Sequence, residues 1–197
     1  MGTTIGMLLF DDVEELDFVG PWEVFTGLYS STGGGRVVTI CERGGAVRCA
    51  KGLRVTADHS FTDAPALDVL LVPGGQGTRR EVSNPAVIEW IREVGAQCQW
   101  VTSVCTGALL LHEAGFAKGK RVTTHWAFVE QLRARGDVTV LDGPRYVRDG
   151  NLVTAAGVSA GIDMALWLVG QIHGVSVARQ VQRAMEYDPA PPYTAEV

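Results

Sequence analysis

The sequence has 197 residues, a formal net charge of −5, 46% apolar residues and 20% charged ones. That size and balance fit one domain, residues 1–197, with a sizeable core, and exclude a disordered or fibrous chain. An acidic chain with scattered Lys and Arg is a poor match for nucleic acid or an anionic membrane, which need a concentrated basic face.

Residues 1–10 lack a basic region and run into Asp11-Asp12, so they read as a first strand and not as an export signal. No uncharged apolar run approaches a membrane span. Pro21 stands where a first helical turn would place it, followed at helical spacing by Trp22, Val24, Phe25 and Leu28. The triplet Gly33-Gly34-Gly35 ends that helix, and residues 37–41 read as a second strand. Residues 47–61 alternate around Lys51-Gly52, as in a hairpin or a pair of edge strands. Residues 68–72 form a buried strand that leads into Pro73-Gly74-Gly75-Gln76-Gly77. A helix over 85–96, a strand over 100–104 and a helix over 106–114 follow, the last capped by Gly115.

Beyond these come a strand over 121–124, a helix over 126–132, and residues 146–154 with an Asp149-Gly150 hairpin signal. Two closing helices, over 158–171 and 176–187, precede an extended tail with Pro189, Pro191 and Pro192. Alternating strands and helices predict an α/β fold: a three-layer, doubly wound, mainly parallel sheet with flanking helices. In such sheets ligands bind beyond the carboxyl ends of the strands.

Four cysteines, Cys41, Cys49, Cys98 and Cys105, form no CxxC pair and no metal-type cluster with the four histidines. Free thiols in a cytoplasmic, reducing setting are expected. Position separates the four. Cys105 sits where the strand Val101-Thr102-Ser103-Val104 turns directly into a helix, with Gly107 and Ala108 as small neighbours. This is the logic of a nucleophile elbow, and a helix N-terminus there favours thiolate. The Gly-rich turn around Gly75 and Gln76 could supply backbone N–H groups to a developing negative charge, or be an ordinary turn; it lacks nucleotide-binding spacing. Asp17, just before the first helix, is either an N-cap or a carboxylate placed across from the elbow to move a proton. His125 invites a Cys–His dyad. Trp22, Phe25, Trp126, Phe128 and Trp167 read mainly as core or interface, and Arg179 and Arg183 as a solvated face.

Together, Leu16-Asp17 with Gly20-Pro21, Val72-Pro73-Gly74-Gly75, Ser103 to Gly107, Thr124-His125-Trp126 and Pro189-Ala190-Pro191-Pro192 resemble the ThiJ/PfpI superfamily. That resemblance implies a flavodoxin-like, class I glutamine amidotransferase-like fold. It points to the isonitrile (isocyanide) hydratase branch; the Ser-Val-Cys-Thr-Gly and Thr-His-Trp segments also occur in amidotransferase-like domains of AraC-type regulators. It implies Cys105 as nucleophile on an isocyanide carbon, Asp17 as acid/base and Thr106 as the residue that contacts Asp17. Gly75 and Gln76 would form the anion-stabilising turn, and Val158 and Ser159 the start of a helix lining the pocket. No cofactor or metal is implied, and a homodimer is.

Thr106 stands where the protease-like branch has His, and the deglycase-like branch uses Glu where this chain has Asp17. Because the sequence ends shortly after Tyr187, no helix-turn-helix domain is expected. Glyoxalase- or deglycase-type chemistry at the same cysteine, or a redox- or ligand-sensing module, are the alternatives.

Overall fold

The structure, a computed structural model, describes residues 2–189. The expectation of an extended tail through Pro191 and Pro192 lies outside them. In chain order the elements are β1 (Thr3–Leu8), α1 (Glu15–Thr32), β2 (Gly35–Cys41), β3 (Gly45–Arg48), β4 (Arg54–Ala57), β5 (His59–Ser60) and β6 (Val69–Val72). Then come α2 (Thr78–Glu81), α3 (Pro85–Gly95), β7 (Trp100–Val104), α4 (Gly107–Glu113) and β8 (Arg121–Val122). A 3-10 turn (Trp126–Phe128), α5 (Val129–Arg133), β9 (Thr139–Val140), β10 (Tyr146–Asp149), β11 (Leu152–Ala155), α6 (Ala160–His173) and α7 (Val175–Ala184) complete the order.

The main sheet runs β10-β11-β7-β6-β1-β2-β5. Every neighbouring pair is parallel except the β10–β11 hairpin, which turns at Asp149-Gly150 as expected. The central strands β6 and β7 are buried nearly throughout, which explains their continuous apolar runs. Helices flank the sheet, with α1 packed against α6 and α7, and α4 against α2 and α3.

Two differences from the sequence reading matter for the site. Helix α1 begins at Glu15, so Pro21 lies inside it and Asp17 falls in its first turn. A proline lacks the N–H that would bond the carbonyl four residues back, and here that carbonyl is Asp17's. The second difference is that the strand over 121–124 shrinks to β8, which pairs with β9 in a separate small sheet.

The loops after β1 and β6 are clasped together. Glu14 N–H donates to the Gly74 carbonyl at 2.9 Å, Gly77 N–H donates to Asp12 at 3.0 Å, and Val13 bridges Gly75. The β3–β4 hairpin tip docks on the same loop, with Ala50 N–H donating to Val13 at 2.8 Å and Lys51 N–H to the Glu15 carboxylate at 2.7 Å. Sheet order thus puts the ends of β1, β6 and β7 side by side.

Candidate active site

Cys105 follows directly on β7 with φ of +57°, a left-handed conformation rarely adopted by a residue with a side chain. Tertiary contacts hold it there. Its N–H donates to the carbonyls of Ala155 at 3.1 Å and Ala156 at 2.8 Å, and its carbonyl accepts from the Thr124 hydroxyl at 2.8 Å. The thiol is buried, 6% exposed, at the floor of a cavity of about 150 Å³. Thr106, Gly75, Gln76 and Val158 line that cavity, with Glu14, Arg79, His125 and Phe128 at its sides. A larger cavity, of about 630 Å³, lies elsewhere beside Tyr146 and Trp167, and no cysteine lines it.

Asp17 is fully buried in the first turn of α1. Its Oδ2 accepts the Gly74 N–H at 2.8 Å. Oδ1 makes no well-formed hydrogen bond. The Cys105 thiol lies near enough for the two groups to shift each other's titration. Burial pushes the Asp17 carboxyl up to about 7, opposed by the Gly74 N–H and reinforced by the negative charge of Glu14. Burial and then the Asp17 carboxylate push the Cys105 thiol up to about 12, against the Thr106 N–H.

The helix N-terminus favours thiolate, but α4 has seven residues, and burial and the Asp17 charge act the other way and raise the thiol.

Glycine packs the turn. A Cβ on Gly74 would lie 2.5 Å from Thr106 N, 2.6 Å from Thr106 Oγ1 and 2.9 Å from Asp17 Oδ2. Gly75, at φ of +120°, donates its N–H to Thr106 Oγ1 at 3.1 Å. The N–H groups of Gly74 and Gly75 are thus already bonded, so the expected anion-stabilising nest at Gly75 is not open there. Thr106 and Asp17 crowd the same side of Gly74, and the Thr106 hydroxyl is engaged by the Gly75 N–H at 3.1 Å and by the Thr78 hydroxyl at 3.0 Å. Thr106 reaches Asp17 through the Gly74-Gly75 backbone. Gln76 is exposed at the rim.

Val158 lines the cavity at φ of +44°. Ser159 does not: it is exposed, and its hydroxyl accepts from Arg145 at 3.2 Å. His125 lines the cavity too, but its Nδ1 accepts the Ala127 N–H at 3.2 Å, which places the ring proton on Nε2. Burial and the Arg79 charge lower its pKa. A neutral ring with Nδ1 engaged is a donor, which weakens the dyad reading.

Sequence reasoning missed Glu14, Lys51 and Arg79. Lys51 pairs with Glu14, brought there by the hairpin tip. Arg79 donates to the Gly75 carbonyl at 2.7 Å and lies 4.3 Å from the centre of the Phe128 ring. Arg79 follows the Gly-rich turn, a usable signal; Lys51 had none, because its place depends on hairpin docking. Among the described residues no cluster of His, Cys, Asp and Glu could hold a metal ion.

Residues 3–171 match the DJ-1/PfpI family. The chain belongs to this family. Among curated relatives it is 42% identical over 193 residues to isonitrile hydratase from Pseudomonas putida, covering 98% of this chain and 82% of that protein. It is 34% identical over 145 residues to the HTH-type transcriptional regulator CdhR of Pseudomonas aeruginosa, covering 70% of this chain but 41% of the regulator. A solved ThiJ/PfpI family protein from Pseudomonas syringae superposes with a TM-score of 0.92 at 33% identity, covering 100% of this chain and 80% of that one. The flavodoxin-like, amidotransferase-like fold expected for the family is the fold observed.

Proposed function

We propose that this DJ-1/PfpI protein is an isocyanide hydratase in which Cys105 is the nucleophile and Asp17 the proton carrier. The observation that carries the reading is geometric: Cys105 stands on a left-handed elbow lining a cavity, and the fully buried Asp17 carboxyl is held next to it by the Gly74 N–H at 2.8 Å. The identity to isonitrile hydratase supports the same reading.

The chemistry suits the pair. Cys105 Sγ gives its proton to Asp17 and bonds the terminal isocyanide carbon. The imidoyl carbanion formed takes that proton back, giving a thioimidate, R–N=CH–S–Cys. Water then adds to the same carbon and the C–S bond breaks. The oxygen becomes the formyl oxygen, one hydrogen goes to nitrogen and one returns to sulfur, leaving an N-substituted formamide. The first step needs net addition of S–H, which a thiol with a neighbouring acceptor provides without a resident thiolate. It builds no oxyanion, which fits the committed N–H groups of Gly74 and Gly75.

Phenyl isocyanide and methylglyoxal offered in parallel test this. Formamide from the isocyanide, lost in Cys105→Ala, is the expected result. Full activity in Cys105→Ala, or turnover of methylglyoxal alone, overturns it.

A further inference from the structure

Cys105 and Asp17 share their surroundings with a third acid. Glu14 lines the Cys105 cavity. It holds the N-cap position of α1, yet its side chain makes no capping hydrogen bond. Its backbone is built into the site. The Glu14 N–H donates to the Gly74 carbonyl at 2.9 Å, and the Glu14 carbonyl accepts the Asp17 N–H at 3.2 Å. A carboxylate fixed here opposes negative charge on either member of the pair.

Lys51 answers that charge: its ammonium pairs with the Glu14 carboxylate. It arrives from the tip of the β3–β4 hairpin, which is held by backbone contacts. Ala50 N–H donates to the Val13 carbonyl at 2.8 Å, Lys51 N–H to Glu15 Oε1 at 2.7 Å, and Gly52 N–H to the Cys49 carbonyl at 3.0 Å. The other charged or titratable groups around Glu14 are committed elsewhere. Arg79, from α2, is spent on the Gly75 carbonyl and the Phe128 face. His125, across the cavity, has Nδ1 engaged by the Ala127 N–H. Glu15 receives the hairpin backbone. Lys51 is thus the cation matched to Glu14 among the described residues.

Burial is the main force on both members of the pair. Beyond it, the Glu14 charge raises Asp17 and Cys105, and the Lys51 charge lowers Asp17. We propose that Lys51 is a positioning residue for the proton step, and that the docked hairpin tip sets the field across Cys105 and Asp17 by neutralising Glu14. This rests on the reading of Cys105 and Asp17 as the reacting pair, and not on the identity of the substrate.

The test reads two quantities in the full chain: the rate of Cys105 alkylation by iodoacetamide at pH 9, and the pH midpoint of kcat/KM for formamide formation. The bond to Glu14 raises the Lys51 ammonium, so it is charged at that pH. Lys51→Met is expected to slow alkylation about threefold and to move the midpoint up by about half a pH unit, the scale of one charge acting through partly solvated protein. Glu14→Gln is expected to do the reverse, about threefold faster and about half a unit down. Lys51→Arg should restore the unaltered values, and Glu14→Gln combined with Lys51→Met should return close to them, because both charges leave together. Alkylation of Cys98 is the internal reference, since Asp68 is the acid that acts on it. A hairpin that served only as structural support would move both single variants the same way. Shifts of equal sign, or none in either variant, therefore overturn the proposal. Alkylation rates that shift as expected in a protein forming no formamide support the Lys51 assignment and overturn the hydratase reading alone.

Discussion

Cys105 and Cys98 are alike in the properties usually used to rank thiols. Both are buried, and burial pushes both up to about 12. Their surroundings differ. The Cys98 thiol donates to the Val94 carbonyl at 3.3 Å, four residues back. Cys105 lines a cavity, sits on a left-handed backbone, and has Asp17 and the Thr106 N–H as neighbours. Resting pKa therefore does not separate Cys105 from Cys98; what separates them is a cavity open to a ligand and a neighbouring carboxyl group.

The largest expected effect breaks that comparison directly. Cys105→Ala should lower formamide formation at least about 1000-fold, while Cys98→Ala keeps it within about twofold; comparable losses would erase the distinction. Next is Asp17→Asn, expected to cost about 100- to 1000-fold in kcat/KM, the usual scale for a lost acid/base group. The unaltered enzyme should gain kcat/KM as pH rises through about 7, where Asp17 becomes able to accept a proton. Removing the carboxylate should also move iodoacetamide alkylation of Cys105 to lower pH, because Asp17 raises that thiol. Alkylation of Cys98 should not move, since Asp68 is the acid that acts on it.

A third effect reads stability. Asp17 goes from 3.8 to about 7 on folding. A raised carboxyl favours the folded state fully below pH 4, and that advantage is lost as pH rises to about 7, roughly 4 kcal/mol in all. Urea unfolding from pH 5 to 8 should therefore show a steeper decline than in Asp17→Asn; parallel slopes would mean that Asp17 does not titrate in this range. The smallest effect concerns backbone. Val158→Asn should raise Tm by about 2–4 °C, because Asn tolerates the left-handed region that a β-branched residue resists. A lower Tm would place no strain at Val158.

Much of this was legible in the sequence, unevenly. Strand β7 runs over the residues expected, and the elbow at Cys105 is where the strand-to-helix switch put it. Those signals are local: apolar runs bounded by small residues. The start of α1 was misplaced because Pro21 looks like a first-turn residue, yet the helix tolerates it in its interior. Asp17 could be suspected but not placed, since its burial depends on the packing of three strand ends. The forces on the Cys105 proton divide the same way: a helix end is visible in sequence, whereas desolvation, which raises the thiol, belongs to the finished fold. Ser159 was carried over with Val158, but adjacent residues leaving a turn point different ways.

The hydrogen bonds that pose Cys105 reach forward in the chain, to Thr124, Ala155 and Ala156. Strand β11, which carries Ala155, lies one place from the sheet margin, backed only by β10. During synthesis Cys105 emerges some fifty residues before Ala155 and Ala156, so the backbone pose of the elbow is complete only once that later segment is in place.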